Sequence, residues 1–380
     1  MKKKVCIVGP FGDFGGRDVE VNIIAKVFEK SHQVTIVSTS YMTEKSFAFK
    51  NLTTTKRKLI FKNIFQSNFL IAFFSLCSKK YNRGSLNTYA YINNSINKRF
   101  FSIDKLILRF VKEEIKNADS IILCVQLTTK FFPEIVNYCF ENKIPCFVRT
   151  TGTIREIETV NFEFLKKVTM YLHHSESNAE NLNRQIPLPY KVIDQCSLNE
   201  YELLALINKA CNPLKYGYLG RLSEEKGILP LINYFCSLNY PFIIAGDGPQ
   251  KSEILKLIEN NEFCQYVGLI DINEIPAFFQ KIDVLIIPSL EESGPLVGLE
   301  AMAAGKLIIS TKVGAMEDRL KGLKSFWFEL ENISSLQDII NEIESLNNDE
   351  LDKYALANRI KYKNEYSFEK IALKYLDIIP

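Results

Sequence analysis

The chain has 380 residues, which is too long for one ordinary hydrophobic core and predicts two domains. Hydrophobic residues make up 47% of the chain and charged residues 24%, a composition that excludes an intrinsically disordered chain and a helical membrane bundle. The nine cysteines stand singly, without a CxxC pair or metal-ligand spacing. This pattern excludes a disulfide framework and predicts reduced thiols in a cytoplasmic protein.

Short apolar segments alternate with longer segments of helical length through most of the chain. The first, KVCIVG, follows a basic start, but its apolar run is too short for a signal peptide, so we predict a β-strand. No stretch approaches the roughly 20 apolar residues that span a bilayer. The other predicted strands are HQVTIVS, SIILCV, PCFVRT and VTMYLHH in the first half, and KYGYLG, PFIIAG, QYVGL, DVLIIP and KLIIST in the second.

Strands separated by helical lengths predict parallel sheets with crossover helices, which is an α/β fold. The strand series restarts near Lys215, so we predict two consecutive α/β halves rather than one large sheet. The link between the halves is predicted around residues 186–197, in the segment IPLPYKVIDQCS.

Charge is distributed unevenly, although the net charge is only +3. Residues 45–112 contain fourteen Lys and Arg against a single acid, Asp104, interleaved with aromatic runs such as FKNIFQSNFLIAFF. Such a segment favours an anionic partner: a membrane surface, a phosphorylated acceptor or nucleic acid. The alternative is a set of amphipathic helices with solvated lysine faces.

Ligands of open α/β sheets bind at the carboxyl ends of the strands, and three loops in such positions are unusual. The loop after the first strand, GPFGDFGGRD, contains Gly15 and Gly16 just before a helical segment. Glycines there let backbone N–H groups approach an anion at the helix N-terminus. The loop has neither the GxGxxG nor the P-loop pattern, so it predicts either a phosphate-approach loop or a simple tight turn.

The second loop, GRLSEEKG, places Arg221 and Lys226 directly after a predicted strand. Arginine can grip phosphate oxygens in a bidentate fork and lysine adds a mobile charge, so the pair suits a diphosphate. The alternative is that Glu224 and Glu225 simply pair with these two cations.

The third loop, EESGPLVGLEAMAAGK, places Pro295 as a first helical residue, with Ser293 or Gly294 near the cap. The N–H groups of Gly294, Leu296 and Val297 would then be available to a phosphate or a sugar hydroxyl. Glu292 and Glu300 could accept hydrogen bonds from sugar hydroxyls. Alternatively, Glu292 complements the helix dipole, Glu300 is a solvated helix residue, and AMAAG packs the helix and ends it at Gly305.

From about Tyr216 to Asp318, roughly a quarter of the chain resembles the retaining glycosyltransferases of the GT-B fold, particularly family 4, which use nucleotide-diphosphate sugars. The stretch PSLEESGPLVGLEAMAAGKLII looks like their E-x7-E motif, and YLGRLSEEKG, IIAGDGP and QYVGLID precede it in the expected order. The N-terminal half is similar only through its glycine loop. The C-terminal YSFEKIALKYLDII resembles the helix that crosses back to the first domain.

The resemblance implies two Rossmann-like domains facing a central cleft: an acceptor domain over residues 1–195, a nucleotide-sugar domain over 196–362 and a crossing helix over 363–380. Arg221 and Lys226 would hold the donor diphosphate, with Gly15 or Gly16 approaching from the other domain. Glu300 would bind the ribose. The transferred sugar would be positioned by Glu292 and the backbone of residues 294–297, and the base would lie against Gly268 and Leu269.

The resemblance further implies a UDP- or GDP-type donor, no other cofactor and no metal, and the chain contains no D-x-D motif. Many relatives carry a histidine after the strand that here reads PCFVRT, whereas the matching position is Thr151, before Gly152. Of the histidines present, His174 could line the site at the end of its predicted strand. Alternatively, His173 and His174 form a structural polar pair.

We therefore predict a metal-independent, retaining glycosyltransferase that builds surface polysaccharide or glycoconjugate from a nucleotide sugar and a glycan or lipid-linked acceptor. It would be cytoplasmic or peripheral at the inner face of the membrane, without a nucleic-acid partner. Two alternatives remain: a nucleotide-sugar 2-epimerase of the same fold, and a non-catalytic protein that binds anionic surfaces through residues 45–112. A nicotinamide oxidoreductase is disfavoured because the glycine fingerprint is missing.

Overall fold

The computed structural model describes residues 2–154, 163–207, 213–238 and 240–379. The chain forms two compact units. The first contains Met1–His173, Ala179–Val192 and Lys374–Pro380, and the second contains His174–Asn178 and Ile193–Leu373. The predicted domain limits at residues 195 and 362 stay predictions.

Within the described residues, the first unit holds a seven-stranded sheet whose neighbouring strands are all parallel. The strands lie in the order β3-β2-β1-β4-β5-β6-β7, so the winding direction reverses between β1 and β4. In chain order the strands are β1 (Lys4–Gly9), β2 (Gln33–Ser38), β3 (Lys56–Leu59), β4 (Ser120–Val125), β5 (Cys146–Thr150), β6 (Met170–His173) and β7 (Tyr190–Val192).

The helices of the first unit connect these strands and cover the sheet. Four consecutive helices, instead of one crossover helix, lie between β3 and β4. The helices are α1 (Gly16–Glu29), α2 (Ile60–Ser67), α3 (Phe69–Tyr81), α4 (Ser95–Phe101), α5 (Ile103–Ile115) and α6 (Phe132–Glu141), and α7 (Glu176–Asn183) contributes residues to both units.

The second unit holds a six-stranded parallel sheet in the part of the chain that the structure describes. Its order is β10-β9-β8-β11-β12-β13, so the winding direction reverses between β8 and β11. The strands are β8 (Tyr216–Leu219), β9 (Phe242–Ala245), β10 (Cys264–Gly268), β11 (Val284–Ile287), β12 (Leu307–Ser310) and β13 (Phe326–Trp327).

Helices cover both faces of the second sheet. Neighbouring residues of β9 illustrate this, because Ile243 packs in one hydrophobic cluster and Ile244 in another, as the two-residue period of a strand requires. The helices are α8 (Glu200–Leu204), α9 (Ile228–Phe235), α10 (Lys251–Ile258), α11 (Ile275–Gln280), α12 (Leu296–Ala304), α13 (Met316–Leu320), α14 (Ser335–Glu344), α15 (Asn348–Lys361) and α16 (Phe368–Ile378), the last shared with the first unit.

The predicted α/β class with two parallel-sheet halves is confirmed, and every predicted strand segment contains a strand. Three further strands, β3, β7 and β13, were not predicted. All three lie at sheet edges. Strand β7 occupies part of the segment that we interpreted as the link between the halves. The end of the predicted helical segment NEYELLALINKA lies outside the described residues, which resume at residue 213.

Candidate functional site

The sheet of the second unit places two of the unusual loops beside each other. Strands β8 and β11 are neighbours at the point where the winding reverses, and ligands bind at such points outside the carboxyl ends of the strands. The loop after β8 contains Arg221 and Lys226, and the loop after β11 leads to Glu292 and α12. The two loops are joined directly, because the Leu290 N–H donates to the Glu225 carbonyl at 2.9 Å.

Gly227 fixes the backbone next to Lys226. It ends a single turn of 3-10 helix over Glu224–Lys226 with φ of 61°, a left-handed conformation that glycine adopts without strain. A Cβ atom at this position would lie 2.1 Å from the Pro288 carbonyl oxygen. The loop after β8 can therefore lie against the end of β11 only because this residue has no side chain.

Lys226 and Glu292 form an ion pair between the two loops, with 22% and 20% of their side chains exposed. The pKa of the Lys226 ammonium is lowered to about 8, mainly by burial; the negative charge of Glu225 opposes this shift, and the positive charge of Arg221 adds to it. The negative charge of Glu292 also favours the ammonium form. The site thus holds a partly desolvated cation whose protonation changes near physiological pH.

Arg221 is largely exposed, with 66% of its side chain accessible, and its nearest acid is Glu225 at 4.0 Å. That distance is the outer limit of an ion pair, so Arg221 keeps its guanidinium available to a ligand. Ser223 donates a 2.6 Å hydrogen bond to the same carboxylate oxygen of Glu225, which lowers the pKa of that carboxyl. The alternative that Glu224 and Glu225 neutralise both cations does not describe Lys226, whose ion-pair partner is Glu292.

We predicted Pro295 as the first helical residue, which is wrong. Helix α12 begins at Leu296, and Pro295 is the residue before it. The Pro295 carbonyl accepts a hydrogen bond from the Gly298 N–H at 3.1 Å and thereby starts the helix. Within the described residues, the N–H groups of Leu296 and Val297 donate no hydrogen bond, as is usual for a first helical turn. They are available to an anion or a sugar hydroxyl.

A buried arginine holds this helix start in place. Arg319, on α13, is fully buried and donates to both carboxylate oxygens of Asp194, at 2.6 and 2.7 Å. Its third donor contacts the Pro295 carbonyl at 2.5 Å. Arg319 also bounds the space at Gly294, where a Cβ atom would lie 2.9 Å from its guanidinium. These contacts fix where the N–H groups of α12 point.

Glu300 lies inside α12 and is only 4% exposed, so it is not the solvated helix residue of our alternative interpretation. Burial raises the pKa of its carboxyl to about 7. No described residue donates a hydrogen bond to it, although buried carboxylates are normally paired. The rest of that interpretation does apply to the helix end: Ala303 and Ala304 are buried and Gly305 terminates α12 in a left-handed conformation.

His174 contributes to the same unit. A Cβ atom added at Gly294 would lie 3.4 Å from His174 Cβ, so the histidine packs against the loop before α12. The following segment is held by the Glu176 N–H, which donates to Asp318 at 3.0 Å. His174 therefore lies beside Gly294, and its role on the sugar side of the site stays a prediction.

Gly268 is the last residue of β10, and Leu269 follows it. Strand β10 lies two strands away from β8 in the sheet. Gly268 adopts a φ of 87° and its carbonyl accepts from the Gly246 N–H at 2.8 Å. The Leu269 side chain is 72% exposed. The contact of a nucleotide base with Gly268 and Leu269 stays a prediction.

The predicted residues of the first unit lie at the reversal point of its own sheet. Gly15 precedes α1 and Gly16 is its first residue, and the N–H groups of both donate no hydrogen bond within the described part of the chain. Part of this loop is satisfied internally, because the Gly12 N–H donates to Asp18 at 2.9 Å. Burial raises the pKa of the Asp18 carboxyl.

Thr151 and Gly152 follow β5. The Thr151 hydroxyl is buried and has no hydrogen-bond partner among the described residues. Gly152 adopts a φ of 80° with the Gln126 side chain packed against it. His173 serves a structural purpose, since it shares a 2.8 Å hydrogen bond with Thr150 and stacks on Tyr171.

Sequence reasoning missed the two buried ion pairs that support these loops. Asp194 and Arg319 lie 125 positions apart in the chain, and the sequence around neither residue predicts the pairing. The second pair, Arg149 with Glu20, joins β5 to α1 and is also buried. A charged residue inside the predicted strand PCFVRT was a usable signal, because a buried arginine requires an acidic partner.

The comparisons with known proteins agree with this arrangement. Residues 207–363 match the family model described as glycosyl transferases group 1. An uncharacterized glycosyltransferase of Methanocaldococcus jannaschii is 28% identical over 41% of this chain and 45% of its own length. The lipopolysaccharide 1,2-N-acetylglucosaminetransferase of Salmonella typhimurium is 29% identical over 42% of this chain and 46% of its own length. The chain thus spans less than half the length of these two relatives.

Among solved structures, Anabaena HepE in complex with UDP and glucose superposes with a TM-score of 0.72. The superposition covers 99% of both chains at 15% sequence identity, so it establishes the fold. The two parallel-sheet units are those of a GT-B protein.

Proposed function

We propose that this chain, whose residues 207–363 belong to the group 1 glycosyl transferases, transfers a sugar from a nucleotide-diphosphate sugar to a glycan, glycolipid or lipid-linked acceptor. The observation that carries the proposal is Glu300, a buried carboxylate to which no described residue donates a hydrogen bond. A vicinal diol such as a ribose can donate two hydrogen bonds to it, which would offset its desolvation.

The cations of the loop after β8 suit the diphosphate. Arg221 is exposed and not neutralised at close range, and Lys226 is partly desolvated, so each gains from contact with phosphate oxygens. The free N–H groups of Leu296 and Val297 add the favourable end of a helix dipole. Lys226 exchanges Glu292 for the diphosphate on binding, which frees the Glu292 carboxylate for hydroxyls of the transferred sugar.

The reaction proceeds by positioning and by stabilisation of the departing charge. The acceptor oxygen forms its bond to the anomeric carbon on the face from which the diphosphate leaves, so the configuration is retained. The acceptor proton passes to the departing phosphate oxygen, and Arg221, Lys226 and the α12 N–H groups stabilise the negative charge. This step requires neither a metal ion nor a further cofactor.

The relatives supply the context. One is a lipopolysaccharide N-acetylglucosaminetransferase and one structural neighbour was solved with UDP and glucose, so we propose a UDP- or GDP-linked sugar and a role in surface polysaccharide or glycoconjugate synthesis. In the first unit, Gly15, Gly16, Thr151 and Gly152 remain proposed substrate-contacting residues.

A nucleotide panel tests the proposal. Thermal unfolding should shift upward with one nucleoside diphosphate, and the shift should shrink in Glu300→Ala and in Arg221→Ala. Glu253→Ala, which removes an exposed helix acid, is the matched control and should keep the full shift. The responding nucleotide then selects the sugar donors to assay for release of the diphosphate. No response to any nucleotide would contradict the proposal, and conversion of the nucleotide sugar to its epimer without an acceptor would replace it with the 2-epimerase.

A further inference from the structure

Helix α3 of the first unit exposes an apolar stripe. Phe69 is 81% exposed, Phe73 49% and Leu76 48%, and their spacing of four and three residues puts them on one face. The opposite face is buried through Ile71 and Ser75. Three large apolar side chains along the outward face of one helix are more than an ordinary surface helix exposes.

The neighbouring helix α4 extends this surface. Asn97 is buried and donates to the Ile71 carbonyl at 3.2 Å and to the Ser75 hydroxyl at 3.2 Å, which locks α4 against α3. Beyond this contact, Phe100 is 70% exposed and Ile96 is 41% exposed. Two helices therefore present exposed apolar groups while their polar contacts lie between them. We call the exposed apolar residues of α3 and α4 the apolar ridge.

Two groups of basic residues within the segment differ in their ion pairs. Near β3 and α2, Arg57 and Lys62 pair with Glu44, and Lys58 pairs with Glu114. Beside the apolar ridge the basic residues form no ion pair within the described chain, and no acid lies on α3 or α4. These unpaired cations are Lys79, Lys80, Arg83, Lys98 and Arg99.

We infer that the apolar ridge inserts into the interface of an anionic phospholipid membrane, with these cations at the lipid headgroups. Apolar groups at the acyl boundary and cations around them are the two contributions that hold an interfacial helix on a membrane. The thirteen residues of α3 correspond to about 20 Å, so the helix lies in the interface plane rather than across the bilayer.

The length and apolar composition of the described helices also bear on how they could meet a membrane. No single described helix is long and apolar enough to cross a bilayer, and the pair α2 with α3, which reaches the required length together, bends by 113°. The inference concerns the first unit alone and does not rest on glycosyl transfer.

The charges decide between the possible occupants of the ridge. A second copy of the chain in a two-fold contact would set this basic surface against itself, with like charges facing each other. Nucleic acid would satisfy the cations, but the aliphatic part of the ridge, Leu76 and Ile96, offers nothing to bases or phosphates. An anionic lipid surface satisfies both kinds of group.

Vesicle binding tests the inference with the full chain. Wild-type protein should co-sediment with vesicles of phosphatidylcholine containing a third phosphatidylglycerol, and much less with pure phosphatidylcholine. Phe69→Ser/Phe73→Ser should weaken binding at least about tenfold, since the variant lacks two exposed aromatic groups that would be transferred from water into the membrane interface. The matched control is Phe140→Ser on α6, which removes a phenylalanine of similar exposure, 58%, and should bind as wild type.

The charges are tested separately. Lys79→Ala/Lys80→Ala/Arg83→Ala should weaken binding to the anionic vesicles by roughly fivefold per charge, and added salt should weaken the wild type far more than this variant. Cys77 lies on the same face of α3 and is exposed, whereas the other described cysteines are buried or half-buried. An environment-sensitive fluorophore on Cys77 should therefore shift to the blue on vesicle binding, with labelled Cys77→Ser as the background.

Three results would overturn the inference. The first is equal sedimentation with and without anionic lipid. The second is vesicle binding that survives both sets of substitutions. The third is a dimer in light scattering that Phe69→Ser/Phe73→Ser dissociates, which would assign the ridge to a second copy of the chain.

Discussion

At the scale of single residues, Glu300 is buried and receives no hydrogen bond from any described residue. Its folded-state pKa is about 7 against an ordinary value of 4.5. The folded protein therefore holds this proton over a pH range in which the unfolded chain has lost it, so the contribution of Glu300 to stability falls as pH rises from about 4.5 to 7. Above pH 7 the buried carboxylate is charged, and its desolvation lowers the unfolding free energy of the ligand-free protein by the full amount.

Glu300→Gln should remove that cost. Relative to wild type, we expect the variant to gain about 3 kcal/mol of unfolding free energy between pH 4.5 and pH 8, with the gain complete above pH 7. Urea denaturation of both proteins at several pH values measures it, and Glu253→Gln on α10 is the exposed control. A Glu300→Gln effect of equal size at pH 5 and pH 8 would show that the carboxylate is not desolvated.

Lys226 predicts a pH dependence of ligand binding. Because its pKa is about 8 in the ligand-free protein, the charge that attracts phosphate is present below pH 8 and is lost as pH rises. We expect nucleoside diphosphate affinity to fall roughly tenfold or more between pH 7.5 and 9.5 in wild type. Lys226→Arg should remove most of this fall, since arginine stays charged.

Calorimetric titration of both proteins across this pH range gives the comparison. Ionisation of the ligand itself affects both proteins equally and cancels in the ratio of their affinities. An equally steep fall in Lys226→Arg would assign the pH dependence to another group.

At the scale of secondary-structure elements, the start of α12 depends on the buried pair of Arg319 and Asp194. Arg319→Leu leaves Asp194 as an uncompensated buried charge, so we expect a loss of about 3–5 kcal/mol in unfolding free energy. Arg319→Leu/Asp194→Leu should recover part of that loss, because the unpaired charge is gone. Urea denaturation of the single and double variants checks this, and strictly additive losses would contradict the coupling.

Gly227 tests how tightly the loop after β8 is held against the end of β11. Gly227 and Gly322 both have positive φ, 61° and 79°, so alanine at either site costs about 1 kcal/mol of backbone strain. Only at Gly227 does the new Cβ meet the Pro288 carbonyl, whereas at Gly322 nothing lies within 4 Å. Gly227→Ala should therefore lower the unfolding temperature clearly more than Gly322→Ala, and equal shifts would argue against the close approach.

The same scale explains which strands could be predicted. Central strands such as β4, with the sequence SIILCV, are buried on both faces and appear as continuous apolar runs. The three missed strands are edge strands, and β3 reads KRKL, with two of its four residues exposed. A strand that is half solvated and charged gives no such pattern, and charge there also protects the sheet edge from aggregation.

At the scale of the whole molecule, the sequence predicted the two parallel sheets, the loop that carries Lys226 and the loop that leads into α12, because both loops follow apolar strands directly. It could not predict the pairing of Lys226 with Glu292, or of Arg319 with Asp194, since each pair joins segments far apart in the chain. The burial of Glu300 was equally hidden, because an acid in LVGLEAMAA has the same local pattern whether it faces solvent or the protein interior.

Charge also has a pattern at this scale. The excess of fourteen basic residues over one acid in residues 45–112 is visible in the sequence, but its division into paired and unpaired cations is not. Only the fold shows that Arg57, Lys58 and Lys62 are paired with acids, whereas five cations beside the apolar ridge form no ion pair within the described residues.

The central claim, that Glu300 receives the ribose of a nucleotide-diphosphate sugar, is tested most directly by removing the diol from the ligand. Calorimetric titrations would compare the preferred nucleoside diphosphate with its 2′,3′-dideoxy analogue on wild type and Glu300→Ala. Two hydrogen bonds to a buried carboxylate predict at least about tenfold preference for the ribose form in wild type and none in the variant. Equal binding of the two ligands to wild type, or a preference that survives in Glu300→Ala, would contradict it.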